Sequence, residues 1–314
     1  MGKKIQGVFG SAASEFIVGF VVGVDPSSDW SLDQYEALAG DPRVSVVQGA
    51  QPGGKANSLN AAEGAAPPSD FLLIVDTSQS LADDAIVLLV RSIRRAGWAG
   101  ASGIVVPEAQ GMAGRLWQWL ELGIRSGQAA ARGLVTTSGA ITMLRRDDWR
   151  TIPSGTICDD LFLTMGAAAR GGKVGLCTDA VAVDPRRVSP REGFGKRVRT
   201  LTGLWQYILV LDPSCLNPLR NRLWVDFVLH KIMRILTPFL FVVAVATGTV
   251  GLLRGGWDWP FGPVWVWLVL AGVTIALALL SEGWRWRLAT LFSPVLSTWN
   301  ALRGNWNVWD VSKD

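Results

Sequence analysis

The chain has 314 residues, 49% of them apolar and only 18% charged, with a formal net charge of +4 and 16 tryptophans. So apolar a composition does not suit an ordinary soluble enzyme and assigns part of the chain to lipid. The single histidine, His230, removes Ser–His and Cys–His catalysis and a histidine zinc site, while three cysteines without metal-ligand spacing argue for reduced thiols.

In chain order, the opening residues carry two lysines and an apolar run, but Glu15 interrupts it and no small-residue cleavage site follows. Residues 16–24 read instead as a strand ending in the turn Asp25-Pro26-Ser27-Ser28. A short helix is expected over 32–38 and a strand over 44–48. Gly53 and Gly54 then lead into a helix beginning near Lys55. A lysine at a helix start reached through a glycine turn can meet a diphosphate, although taken alone it reads equally as a solvated lysine.

The run Phe71 to Val75 predicts a strand buried on both faces of a parallel sheet and ending at Asp76, where open α/β sheets bind ligands. Asp83 and Asp84 are expected to cap a helix over 85–96. A strand over 103–107, an amphipathic helix over 114–131 and a last strand over 173–183 complete the pattern. Between the last two lies the pair Asp159-Asp160. Neighbouring carboxylates can divide acid–base work, or simply favour a helix N-terminus.

After Gln206 the chain changes character. Arg186, Arg187, Arg191, Lys196, Arg197 and Arg199 form a basic run that marks a cytoplasmic membrane face and favours anionic lipids. No nucleic-acid motif accompanies it, so no nucleic-acid partner is expected. Arg222, Asp226, His230 and Arg234 recur every four residues, predicting a helix over 219–234 that lies in the membrane surface. Transmembrane helices are expected at about 235–253 and 262–281, and a second interfacial helix at about 286–302. Trp224, Trp257, Trp259, Trp265, Trp267 and Trp284 flank or enter these segments as interfacial aromatics do. The pattern predicts an integral membrane protein with its α/β part and C-terminus in the cytoplasm.

Five blocks, VVGVDPSSDWS, GGKANSLNAA, FLLIVDTSQSL, SGAITMLRR with ICDDLFL, and GFGKRVRTLTGLWQ, stand in a definite order. From Val21 to Gln206 the chain thereby resembles the membrane-bound family 2 glycosyltransferases, which include the cellulose, hyaluronan and poly-N-acetylglucosamine synthases. The resemblance implies an α/β fold, with a GT-A-like (Rossmann-like) nucleotide-sugar-binding domain over 1–206 and a C-terminal α-helical membrane region over 207–314. It implies Asp160 as catalytic base with Asp159 orienting it, and Asp25, Lys55, Asp76 and Arg199 binding the nucleotide sugar. Asp76 would also hold a divalent cation, Mg2+ or Mn2+.

The chain departs from the family pattern at several places. Residues 1–15 match neither the family's first strand nor its Pro-x-x-Asn-Glu turn, which leaves a late start codon, a fragment or a diverged N-terminus as readings. Ser78 stands where the second metal-binding Asp is expected; it is a neutral, weaker ligand, so metal affinity should fall or the geometry differ. Lys196 and Thr200 replace the Gln and Trp of the basic block, whereas Arg199 is kept.

The resemblance thus implies an inverting hexosyltransferase acting at the membrane, with a UDP-sugar the expected donor and a polysaccharide or lipid-linked acceptor, alone or with other subunits. A glycoside hydrolase would leave the Lys55 block, the Asp76 strand and the basic block without a task. The competing reading is an inactive transferase-like partner or scaffold. Trp117 and Trp119 lie on different faces of their helix, so one is expected in the core and the other free to stack on a sugar ring.

Overall fold

The computed structural model describes residues 2–28, 40–108, 112–186, 188–253, 272, 285 and 288–308. The helix expected over 32–38 and the span expected at 262–281 lie outside the described residues. Two compact units form: residues 1–187 with 207–226, and residues 188–206 with 227–314.

In the first unit the Val-rich runs β1 (Phe20–Val24) and β2 (Val44–Gln48) pair in parallel, Phe20 opposite Val44, as a two-stranded sheet. β3 (Phe71–Ile74), β4 (Ser80–Leu81), β5 (Gly100–Pro107), β6 (Thr142–Arg145) and β7 (Val174–Asp184) make a second sheet in the order β3-β6-β5-β7-β4. Only β5 and β7 run parallel in it; the other pairings are antiparallel.

Here the structure corrects the reading of the apolar run at 71–75. Among the described residues β3 is an outer strand, paired with antiparallel β6 alone, and its Phe71, Leu72 and Leu73 are only half-buried. A strand looks fully buried in sequence whenever it is uniformly apolar; its pairing depends on neighbours that the run does not contain. Among the described residues no strand joins β3 to β1. Residues where the resemblance has its first strand form the helix Gly2–Phe9 and a 3-10 turn at Ser14–Phe16. Val8 and Ala13 from this segment enter a core that Phe20 of β1 and Phe71 and Leu73 of β3 also border. Side-chain packing, not a backbone ladder, therefore connects the two sheets there.

The helix Ala85–Ala96 buries Ile86, Leu89 and Ile93, one stripe at three- and four-residue spacing, against Ala101, Ile141, Met143 and Ala182. Full burial of a residue such as Leu89 contributes about 1.5–3 kcal/mol. The helix ends where Gly97 turns left-handed at φ 63° and returns its N–H to the Ile93 carbonyl. At its start Asp84 has near-helical backbone angles and makes no side-chain cap, contrary to expectation; its carbonyl instead accepts the Leu88 N–H at 2.9 Å. A second core gathers Leu144, Ile152, Leu163 and Val174 beside the helix Asp159–Ala169.

Residues 207–226 belong to this unit. Arg222 donates to the carbonyls of Gly171 at 2.8 Å and Arg132 at 3.1 Å, and Asp226 pairs with Arg132 at 3.5 Å. Helix begins at Trp224, later than the four-residue periodicity suggests, because Asn217 and Asn221 use their side-chain oxygens to cap the N–H groups of Leu219 and Leu223 in turns.

The second unit holds the helices Pro190–Gln206, Met233–Leu253 and Ser293–Leu302. Trp205 donates to Thr298 at 3.1 Å, tying the first of these to the third. Buried His230 contacts Arg234 at 2.6 Å, one turn on. Among the described residues, Trp224–Val250 is long and apolar enough to cross a bilayer by length and composition. Phe239, Phe241, Val242 and Val243 on it are exposed.

Candidate active site

Three chain segments converge on one lysine. Lys55 is the first residue of the helix Lys55–Ala65, which Gly54 opens at φ 128°, a backbone conformation that disfavours any side chain. Asp76 stands just past β3, and Asp159 and Asp160 open the helix Asp159–Ala169. Lys55 Nζ lies 3.1 Å from Asp76 Oδ1 and 3.4 Å from Asp159 Oδ2. A β-carbon on Gly139 would come within 3.2 Å of Nζ, so the glycine lets the loop after Thr136 close over this cluster.

The two adjacent carboxylates sit in different surroundings. Asp159 is only 6% exposed and faces Lys55. Burial pushes its carboxyl above the ordinary value and the charge of Asp160 adds to this, while Lys55 opposes it. For Lys55, burial alone would lower the ammonium, but Asp159 and Asp76, with Asp160 beyond, outweigh it and raise the pKa. Asp160 is half-buried: Oδ2 accepts from Thr136 Oγ1 at 3.2 Å and Oδ1 from the Leu161 N–H at 2.9 Å. Asp159 is thereby paired with a cation, whereas the hydrogen bonds that orient Asp160 come from neutral donors.

Asp25 follows β1, and its Oδ1 accepts from the Ser27 N–H at 2.9 Å and Ser27 Oγ at 2.8 Å. The same oxygen lies 2.5 Å from where a β-carbon of Gly53 would be, so only glycine lets this turn and the Gly53-Gly54-Lys55 turn abut. Arg199 lies half-buried on the helix Pro190–Gln206, in the second unit.

Several contributors escaped the sequence reading. Asn60 forms a closed pair with Ile152, accepting its N–H at 2.9 Å and donating to its carbonyl at 2.8 Å. It thereby fastens the segment leading to Asp159 onto the lysine's helix. Asn57 donates to Ser154 at 3.0 Å in the same segment. Buried Lys4 donates to the Gln79 carbonyl, and burial lowers its pKa while the nearby Asp76 opposes that shift. Gln79 in turn donates to Asp184 at 2.9 Å. Of these, Asn57 and Asn60 lie in the Lys55 block and Gln79 in the block of the Asp76 strand, but nothing in the sequence pointed to their partners. Nor is either tryptophan of the 112–131 helix in the core: Trp117 is 58% and Trp119 69% exposed. That helix is covered on one stripe only, so two faces two residues apart both remain outside it.

For a divalent ion the chain offers the Asp76 carboxylate, with Lys55 on one oxygen, and the Ser78 hydroxyl, which donates to Gln79 at 3.1 Å. Among the described residues no three His, Cys, Asp or Glu side chains gather as a preformed cage. Mg2+ commonly takes one or two carboxylates and completes its shell with water and substrate phosphates, so Asp76 fits a site that a bound diphosphate would finish.

A family model described as glycosyltransferase like family 2 matches residues 9–205. The chain belongs to that glycosyltransferase family. The family 2 domain also has its fold in solved structures. A mannosyltransferase from Pyrobaculum calidifontis, PcManGT, in complex with GDP-Man and Mn2+, aligns at TM-score 0.70 and 17% identity, over 99% of this chain and 83% of that one. A mycobacterial protein aligns at TM-score 0.46 and 14% identity, over 66% of this chain and 70% of that one. GalNAc-T7 with UDP, GalNAc and Mn2+ aligns at 0.44 and 12%, over 59% and 40%. No curated protein gives a significant match. The α/β, GT-A-like architecture of the glycosyltransferase is thus shown by the family match and the PcManGT alignment together.

Proposed function

We propose that the chain is an inverting hexosyltransferase of the membrane-bound synthase type, moving a sugar from a nucleoside-diphosphate donor to a glycan or lipid-linked acceptor at the cytoplasmic face of the membrane. The observation that carries this reading is the Lys55 ammonium held between Asp76 and Asp159, with the half-exposed Asp160 beside it. In this mechanism Asp160 takes the proton of the acceptor hydroxyl. The hydroxyl oxygen bonds to the anomeric carbon as the bond from that carbon to the diphosphate oxygen breaks on the opposite face, inverting the centre. A base so placed contributes roughly a hundred- to ten-thousandfold.

Lys55 meets the charge that develops on the departing diphosphate, and Asp159 holds the lysine in place. Asp25 is assigned to the nucleotide base. A bound Mg2+ or Mn2+, held by Asp76 and the diphosphate, would supply further offset of the leaving-group charge. UDP-sugars are the first donors to test, and GDP-mannose the second, since PcManGT was solved with it. Insertion of the Trp224–Val250 helix is supported by its stretch from Ile235 to Val250, which holds no charged residue, and by its exposed apolar side chains.

The division of the strands into two sheets and the serine at position 78 favour a second reading, an inactive partner subunit. One experiment separates the two. Nucleoside-diphosphate release is measured from purified membranes offered a panel of nucleotide sugars with Mg2+ or Mn2+, for the parent and for Asp160→Asn. Release that the variant loses while still binding nucleotide establishes the transferase; an unchanged variant refutes Asp160 as base, and no release from any donor supports the inactive subunit.

A further inference from the structure

Near the carboxylate cluster lies a cavity of about 260 Å³, lined by Ile104 of β5, by Trp117, Glu121, Leu122 and Arg125 of the helix Met112–Ala131, and by Ser138. Its position relative to the reacting groups follows from a short chain of contacts. Arg125 Nη2 donates to Ser102 Oγ at 3.0 Å, and that oxygen also accepts the Ser138 N–H at 3.0 Å. A β-carbon on the next residue, Gly139, would lie 3.2 Å from Lys55 Nζ, which places this loop beside the lysine. Arg125 also lies close enough to Asp160 to feel its charge. Ser138, which lines the cavity, is two residues from Thr136, whose hydroxyl donates to Asp160 at 3.2 Å, so the cavity borders the segment that orients Asp160.

Its lining is unusual in one atom. Arg125 Nε is a buried donor without a hydrogen-bond partner, an unfavourable state that an accepting ligand atom would relieve. The guanidinium is not a spare positive charge, because the carboxylates of Glu121 and Asp160 both act on it. An anionic head group entering here would meet Glu121 as well as Arg125, whereas a neutral hydroxyl oxygen satisfies the orphan N–H without that repulsion. Apart from Gln118 and Ser138 the remaining wall is apolar, and Trp117 in it is 58% exposed. An aromatic face together with a few fixed polar atoms suits a pyranose, which has one apolar face and a rim of hydroxyls. The volume lies below the roughly 300–1,000 Å³ of sites for drug-sized ligands, and suits one ring.

Building on the transferase reading above, we propose that this cavity is the acceptor subsite and that it takes a neutral hexopyranose: Trp117 stacks on the ring and Arg125 Nε–H donates to one of its oxygens. Asp160 is then within reach of a hydroxyl on the same ring.

The test uses the full chain in a non-glycosidic detergent. Binding of methyl hexosides and hexose disaccharides is followed by saturation-transfer NMR, which needs no turnover, beside a prenyl monophosphate as the anionic probe. The parent should bind a neutral sugar. Trp117→Ala should weaken that binding at least tenfold, and Trp119→Ala, equally exposed on the same helix but outside the cavity, should not. In turnover, Trp117→Ala should raise the acceptor KM by the same factor with the donor KM within twofold of the parent. Arg125→Lys, which keeps the charge but removes Nε–H, should raise it partway. Absence of sugar binding in the parent, equal effects of the two tryptophan variants, or binding of the prenyl phosphate alone would overturn the proposal. Sugar binding that depends on Trp117 without any transfer would uphold the subsite and count against the enzymatic reading instead.

Discussion

Replacing Lys55 by Met leaves Asp159 buried, 6% exposed, with Asp160 next to it and its lysine partner gone. Removing one partner of a buried pair costs about 3–5 kcal/mol. The Lys55 side chain is 28% exposed, which places the expected loss near the lower end, about 3 kcal/mol. For a unit of this size that is a fall in unfolding midpoint of roughly 6–12 °C. The cost is electrostatic, so it should depend on pH in a definite direction. The carboxyl of Asp159 is already raised by burial, and losing Lys55 raises it further. A carboxyl with a raised folded-state pKa stabilises the fold when protonated and loses that contribution as pH rises through the folded value. Lys55→Met should therefore recover stability as pH falls from 8 toward 5. The double variant Lys55→Met, Asp159→Asn should regain most of the loss at pH 8, because no orphan charge remains, yet should not regain nucleotide release. Midpoints followed by circular dichroism across pH 5–8 decide it. A single variant that melts with the parent, or a double variant no better than the single, would refute the view that Lys55 neutralises Asp159.

The other expectations are more local. Asp76→Ala should remove the dependence of nucleotide affinity on Mg2+ or Mn2+ in calorimetric titrations, and an unaltered metal titration would count against Asp76 as the ligand. Asn60→Ala leaves both backbone groups of Ile152, itself 1% exposed, without partners, so denaturant unfolding should show a loss of about 2–3 kcal/mol. Asp184 is held well below the ordinary carboxylate range by hydrogen bonds from Arg186 first and Gln79 second, with burial opposing them. Its contribution is present above the ordinary aspartate pKa and lost as pH falls below it. Asp184→Asn should therefore flatten the acid limb of the stability curve below about pH 4 and leave the neutral region with a constant offset; an acid limb as steep as the parent's would contradict this.

Much of the site was legible because its chemistry is carried by short segments. The strand at 44–48, the helix beginning at Lys55, the strand at 174–184 and the carboxylate pair at a helix start all follow from local periodicity and turn residues within about ten positions. The order of five such blocks was enough to name the family, which residues 9–205 match. That the two aspartates meet different surroundings also follows from their adjacency, since neighbouring side chains on a helix do not face the same way.

What the sequence could not decide depends on residues far apart in the chain. The apolar run at 71–75 has the composition of a central strand, but edge position is a property of pairing partners, here a single antiparallel one. Asp159 and Asp160 differ chemically only because Lys55, 104 residues before Asp159, reaches one of them while Thr136 reaches the other. The union of Asn60 with Ile152 across 92 residues, and the orphaned Nε of Arg125, have no local signal at all. Local pattern specifies which residue types occupy which end of a strand or helix; burial and charge pairing, which set the protonation and reach of each group, arise only when those ends meet.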